Sequence, residues 1–393
     1  MKAGWTEVAL GDVATIDRRS VTAAAIASGT LYVGLEDIDA GGGEVRPRSV
    51  EAGELGSNKF LYDSQHILYG KLRPYLAKIA CAPGAGICST DILPIRPSGV
   101  DKAYLLHFLR QPAMVDRAAA RSSGANLPRL AAKELERFQI PLPPLAEQKR
   151  IAAILDKADE LQAKRRAAIT HLHSLTQAIF LDMFGDPVTN PMGWRTAELE
   201  DALSSIDSGR SPVCLDRIAS ADEWAILKLG AVSTGTFNPA ANKALREGVR
   251  PDARLEVRDG DVLIARKNTP ALVGSCVVAH EPPPRLLLPD LIFRLVCVAD
   301  GPLLPMVLSE TLRSPRFKGL VQGLATGAAA SMVNISKEKF RSLRVPIPPF
   351  DAQSAFLYRE ARIRSVISAA NRAATQSRVA TAALQSRAFR GEL

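Results

Sequence analysis

The sequence predicts a mixed α/β protein of the α+β class. Two globular domains are separated by two long helices packed as an antiparallel coiled coil, and the whole is an internal duplication with a pseudo-twofold. Three observations predict it. The string IPLPPLAEQKRI at 140–151 is a proline-stiffened lead-in to a helical pattern that runs to Phe184. The string PIPPFDAQSAF at 346–356 repeats PLPPLAEQKRI at 141–151, with Pro141 matching Pro346 and Gln148 matching Gln353 at a constant offset of 205 residues. Ahead of both proline runs stand short β-type segments punctuated by Gly, Pro and Asp, the signature of strands joined by turns.

The boundaries follow from these signals as residues 1–144 for the first globular domain, 145–186 for the first helix, 187–349 for the second domain and 350–393 for the second helix. In the first domain, strands are expected at 30–33, 66–69, 78–81 and 92–95. A helix over 102–121 must kink or split at Pro112, whose ring removes a donor and crowds the preceding turn. A polar turn, SSGANL at 122–127, leads to a short helix at 131–135 and a strand at 138–140. The prolines at 141, 143 and 144 hold the chain extended, so the helix starts only after them.

From Ile151 the apolar positions recur at about 3.5-residue spacing: Ile151, Ile154, Ala158, Leu161, Leu172, Leu175 and Ile179 form a seam along one face. Residues 146–184 make a rod of roughly 58 Å at about 1.5 Å per residue. A rod with one apolar seam needs a partner, and the second copy supplies it through Phe356, Ile363, Val366 and Leu384, with smaller residues in its distal half. Between the copies, Gly185 caps the first helix and Pro187 and Pro191 prevent its continuation. The second half replays the first: Trp194 and Leu199 echo Trp5 and Leu10, DVLIARKN at 261–268 echoes QHILYGKLR at 65–73, and LLPDLIFRL at 287–295 echoes STDILPIRP at 89–97.

The chain has 393 residues, long enough for two cores, with 47% hydrophobic and 23% charged residues, ordinary values for a soluble globular protein. Lys and Arg number 50 against 41 Asp and Glu, a net charge of +9 that permits a polyanionic partner without requiring one. Five cysteines with no CxxC pair fit free thiols in a reducing compartment. No apolar run approaches a membrane span and Glu7 and Asp12 occupy the place of a signal-peptide core, so no membrane association and a cytoplasmic location are expected.

The LPPLAEQKRI run, the helix closing in MFGDPVTNPMGW at 183–194 and the duplicate ending in AFRGEL at 388–393 resemble the specificity subunit of type I restriction–modification systems. The resemblance spans the whole chain. It implies two target-recognition domains, each binding one half of a bipartite, asymmetric site in double-stranded DNA, with the helices setting the separation. It also implies two adenine-N6 methyltransferase subunits docked on those helices, motor/nuclease subunits that join them, and S-adenosylmethionine on the methyltransferase partner with no cofactor on this chain. The second helix departs from the pattern, with DAQSAF where the first has LAEQKRI. Docking through the outer face of the first helix predicts that charge reversal at Lys157 and Lys164 weakens assembly.

Residue chemistry agrees with a chain that reads rather than reacts. There is no GxxxxGK[ST] loop, no Asn-Pro-Pro-Tyr-like run, and the acids of LEDID at 35–39 read as a solvated turn. His171 and His173 stand two apart on a helix, about 200° around it, and cannot share a metal; both are read as surface residues. Cys81 and Cys88 have no nearby His and read as buried thiols. No metal site is expected. The candidate DNA contacts are Lys71, Arg73, Tyr75 and Lys78 after one strand and Arg266, Lys267 and Asn268 after its counterpart. Arg reads guanine bidentately, Asn reads adenine, and Lys more often neutralises phosphate. Two loops offer hydroxyls and glycine amides to a phosphate: Ser123, Gly124 and Asn126 in the first copy, Thr326, Gly327 and Ser331 in the second. Competing readings are a duplicated coiled-coil adaptor with incidental basic loops, and a self-contained nuclease or methyltransferase.

Overall fold

Two buried glutamines sit at the same place in the two copies. In the computed structural model, which describes residues 4–327 and 332–393, the Gln148 amide donates to the Pro143 carbonyl at 2.8 Å and accepts from the Asp101 N–H at 2.8 Å. The Gln353 amide donates to the Pro348 carbonyl at 2.8 Å and the Pro302 carbonyl at 2.9 Å, and accepts from the Leu304 N–H at 2.9 Å. Proline cannot donate to its neighbours, so each proline run leaves carbonyls for the glutamine to satisfy. The glutamine thereby ties the start of a long helix to the start of a shorter one in its own domain.

By contact the chain divides into two units, Met1–Ala167 with Ala370–Leu393, and Ala168–Ala369. In the first, Thr6–Ala9 pairs antiparallel with Gln139–Leu142. A four-stranded antiparallel sheet follows in the order Ala14–Ile16, Ile92–Pro97, Ile67–Gly70, Ile79–Cys81. A five-stranded mixed sheet runs Ser20–Val21, Lys59–Tyr62, Gly86–Cys88, Thr30–Val33, Arg48–Val50. The helical segment breaks at Pro112 as expected, into Lys102–Leu109 and Pro112–Ala120.

The second unit repeats the paired edge strands and the four-stranded sheet of the first. Arg195–Glu198 pairs with Arg344–Ile347, and the four-stranded sheet runs Leu203–Ser208, Ile292–Cys297, Val262–Ala265, Cys276–Val278. The accompanying sheet is reduced to three strands, Asn242–Ala244, Ala225–Leu227 and Leu286–Leu287.

The long helices are Leu145–Phe184 and Phe350–Arg390. Gly185 ends the first in a left-handed turn at φ 74°, its N–H bonded to the Leu181 carbonyl at 2.9 Å, a conformation glycine adopts without steric cost. In the first unit, Ile151, Ala152 and Leu155 share a core with Leu384, Ala388 and Phe389, and the Phe389 ring lies 5.0 Å from Tyr104 and 5.5 Å from Phe108. In the second, Phe180 and Phe184 from the end of the first helix pack on Phe356 from the start of the second, at 5.7 and 5.6 Å. Within each unit, one long helix begins where the other ends, the relation the duplicated order predicts.

The frame of the seam differs from the sequence reading. Along the second helix a continuous line of buried and half-buried positions, Gln353, Phe356, Glu360, Ile363, Ile367, Ala370, Ala374, Ser377, Thr381, Leu384 and Ala388, alternates steps of three and four, flanked by Ala352, Leu357, Arg364, Ser368, Gln385 and Phe389. Along the first, Gln148, Ala152, Leu155, Asp159, Gln162, Ile169, His173, Thr176 and Phe180 follow the same rule, with Arg166 exposed at the step between Gln162 and Ile169. Phe356, Ile363 and Leu384 stand in this seam and Ile151 is buried beside it, whereas Ile154, Ala158, Leu172 and Ile179 are half-buried outside it. Leu161, Leu175 and Val366 are corrected: they are 45%, 44% and 53% exposed, one residue short of the seam positions Gln162, Thr176 and Ile367. One residue is about 100° of helix. The heptad frame set at Gln148 and Gln353 decides which face turns inward, even where that face carries a polar side chain.

Candidate nucleic-acid interface

In the first unit, strand Ile67–Gly70 delivers the chain into a tight connection, residues 71–78, before Ile79–Cys81 returns. Here Arg73 (φ 51°) and Ala77 (φ 48°) are both left-handed and bracket a single 3₁₀ turn at Pro74–Leu76. The polar turn after the Pro112–Ala120 helix closes on itself: the Ser123 N–H donates to the Arg129 carbonyl at 3.0 Å and the Arg129 N–H to the Ser123 carbonyl at 2.8 Å. Gly124, at φ 109°, permits this closure, since a Cβ there would meet the Leu127 carbonyl at 3.0 Å.

The two segments, far apart in sequence, are stitched together. The Arg73 N–H donates to the Pro128 carbonyl at 2.7 Å, the Leu130 N–H donates to the Lys71 carbonyl at 2.9 Å, and Leu72 bridges Arg129. The structure thus joins the basic turn and the hydroxyl–glycine loop into one surface.

Charge on that surface is partly spent internally. Asp91 takes the Arg129 guanidinium at 2.9 and 3.2 Å and lies 4.0 Å from the Lys71 ammonium; the carboxylate raises the guanidinium pKa of Arg129 further. Lys78 donates to the Leu35 carbonyl at 2.6 Å. Arg73, Tyr75, Ser123, Gly124 and Asn126 are exposed.

The second unit builds the same junction. The Ile335 N–H donates to the Arg266 carbonyl at 2.9 Å, as Leu130 does to Lys71, and Thr326 and Asn334 exchange backbone bonds at 2.9 Å, as Ser123 and Arg129 do. Lys267 and Asn268 pair with Asn334 and Val333. Gly327 repeats the close approach of Gly124, with a Cβ placed 3.0 Å from the Met332 carbonyl. Register therefore equates Lys71 with Arg266, Leu72 with Lys267, Arg73 with Asn268, Ser123 with Thr326 and Arg129 with Asn334.

The side chains differ sharply. The Arg266 guanidinium stacks 4.9 Å over the Phe293 ring and donates to Asn334 Oδ1 at 3.2 Å. Asn268 is only 6% exposed; its amide donates to Ser233 Oγ at 3.2 Å and accepts from the Thr269 N–H at 2.8 Å. A side chain so enclosed has no free edge for a base, which corrects the sequence reading of Asn268. Lys267 is half-buried. Ser331 lies outside the described residues.

Sequence reasoning missed Asp91, Arg129, Phe293 and Asn334, because their partners in the junctions lie 20 to 68 residues away (91 − 71 and 334 − 266). His173 is half-buried rather than on the surface, its pKa lowered by burial and by Arg313. Cys88 is buried and its thiol pushed up to about 12, while Cys81 is half-buried. Among the described residues no group of three or more His, Cys, Asp or Glu is placed to hold a metal, and no helix is long and apolar enough to cross a membrane.

Residues 2–171 match the model of the type I restriction modification DNA specificity domain. The chain is 32% identical over 163 residues to the Escherichia coli type I restriction enzyme EcoDI specificity subunit, covering 40% of this chain and 36% of that protein. It is 24% identical over 313 residues to the EcoKI specificity subunit of Escherichia coli strain K12, covering 74% and 65%. The matched part is thus about a third of the first relative's length and just under two thirds of the second's.

Two solved structures share the fold across nearly the whole chain. One is from work on complex assembly and conformational transition of the type I R-M system, with a TM-score of 0.55, 22% identity and coverage of 100% and 99%. The other is the type I restriction-modification S subunit from M. genitalium, with a TM-score of 0.50, 13% identity and coverage of 98% and 96%. With its specificity-domain match over residues 2–171, its duplicated architecture and these relatives, the chain is similar to the specificity subunits of type I restriction–modification systems.

Proposed function

We propose that this chain is the non-catalytic address-reading subunit of a type I restriction–modification complex, working in the cytoplasm. Each unit contacts one half of a bipartite, asymmetric site in double-stranded DNA. The carrying observation is the junction built twice, from the same backbone hydrogen bonds but with different side chains. A surface duplicated in geometry and diversified in chemistry is what reading two unlike half-sites requires. Each long helix is longer than one ~34 Å turn of duplex, so base pairs between the halves can go unread.

The apolar strip of exposed Leu175 and Ala178 with half-buried Leu172 on the first long helix supports assembly with protein partners. These would be two adenine-N6 methyltransferase subunits, which bring S-adenosylmethionine, and motor/nuclease subunits. The test exchanges residues 1–144 for the recognition domain of another such subunit and sequences the modified genome. One half of the methylated motif should change and the other stay. If both halves change, the modular reading fails. For the purified chain, log affinity for duplex should fall steeply with log salt; a flat dependence would favour an adaptor, and turnover by this chain alone would overturn the non-catalytic assignment.

A further inference from the structure

We infer that Arg73 reads a guanine in the half-site of the first unit, whereas the equivalent junction of the second unit contacts only backbone phosphate, through Lys267. The inference rests on the DNA-reading function proposed above and deepens it.

Among the four cations of the first junction, three have internal partners. Lys71 and Arg129 face Asp91, and Lys78 is bonded to the Leu35 carbonyl. The Arg73 guanidinium has no hydrogen-bond or ion-pair partner among the described residues, and the residue is exposed.

Its backbone, by contrast, is fixed on every side. The Arg73 N–H is bonded to Pro128, the Leu76 N–H returns to the Arg73 carbonyl at 2.9 Å, and the Ala77 N–H returns to that of Pro74 at 2.9 Å. Pro74 is buried directly behind it. The residue is left-handed, at φ 51° and ψ 60°, a conformation in which glycine or asparagine is favoured and a long side chain is uncommon. An unpartnered guanidinium on a rigid, strained base loses little freedom on binding, and its planar fork matches the O6 and N7 acceptors of guanine.

The second junction lacks this device. The residue equivalent to Arg73 is Asn268, turned inward and bonded at both ends of its amide. The cation at Arg266 is held by Phe293 and Asn334. That leaves Lys267, whose ammonium is a point charge suited to a phosphate oxygen and poor at bidentate recognition.

The experiment uses the full chain and a randomised duplex library, selected with wild type, R73A, R73K and K267A. Wild type should yield a split motif. R73A and R73K should both lose preference for one G·C pair in one half-site, by about 5- to 150-fold, with the other half unchanged. R73K should keep the wild-type salt slope. K267A should weaken all sequences equally and reduce the salt slope by about 0.9.

If R73A and R73K weaken every sequence alike and leave the motif intact, Arg73 touches phosphate only; the inference is then overturned while DNA reading stands. Loss of a specific base in the other half-site with K267A would overturn the second clause. A wild-type chain with no motif and no salt dependence would remove the DNA reading and this inference together.

Discussion

Replacing Gln148 by leucine tests the claim that one amide joins each long helix to its domain. The substitution leaves the buried Pro143 carbonyl and the half-buried Asp101 N–H without this partner. An orphaned buried polar group costs about 1–3 kcal/mol, so the two together should cost about 2–6 kcal/mol. Gln353→Leu should cost more, because three backbone groups lose their partner. Either loss is a large fraction of the roughly 5–15 kcal/mol that holds a domain folded. Hydrogen exchange read by mass spectrometry reports the units separately, through strand Ile67–Gly70 in the first and Val262–Ala265 in the second. Gln148→Leu should lower the opening free energy of the first strand and spare the second; Gln353→Leu should do the reverse. A change under about 0.5 kcal/mol, the usual range for a surface substitution, or an equal change in both units, would refute the anchoring role.

Further outcomes follow from the charges on the long helices. Glu360 is 6% exposed and sits where the first copy has the fully buried Leu155; burial raises its pKa, as it does that of Glu310. The charged groups acting on Glu360 are Arg364 and Arg313, and Glu360 in turn raises the pKa of Glu310; His280, held near 4 by burial and Arg364, lies 3.2 Å from the Arg364 guanidinium. A carboxyl with a raised folded pKa contributes stability in full below its unfolded value of 4.5 and loses it as pH rises through the folded value. Glu360→Leu removes the ionised carboxyl together with its 3.7 Å pair to Arg364, whose side chain is 41% exposed and can be hydrated, and should flatten the second unit's decline in stability above pH 4.5, measured by urea unfolding across pH. An unchanged pH profile would refute the buried charge as its cause. Lys157 and Lys164 both pair with Glu160, at 2.7 and 2.6 Å, and hold its carboxyl at about 2. Reversing both to Glu places three acids on one exposed face; mass photometry with the methyltransferase subunits should show weaker assembly, while the recognised motif stays unchanged.

Particular residues show how far the sequence could be read. The proline runs, Gln148 and Gln353, Pro112 and Gly185 act through their own backbone chemistry, so their effects were visible one residue at a time. The leucines of the first long helix misled, because apolarity suggests a seam but only heptad continuity from Gln148 fixes its frame. Leu161 and Leu175 consequently lie exposed while Gln162 and Thr176 turn inward. The candidate contacts were recognised as types: Lys, Arg and Asn after a strand, hydroxyl and glycine in a loop. Nothing local distinguishes Asn268, enclosed by Ser233, from Arg73, left open beside Tyr75, itself 54% exposed.

By itself the sequence determined what is encoded in short-range chemistry: the duplication, the two long helices, the breaks between elements and the absence of catalytic motifs. Tertiary structure alone decided which charges are available. Asp91 neutralises Arg129 from 38 residues away, Phe293 and Asn334 hold Arg266, and the turn at 71–78 meets the loop at 123–129 through hydrogen bonds between distant backbones. A side chain's type is local information. Whether its charge faces solvent or another residue depends on neighbours that only folding brings near.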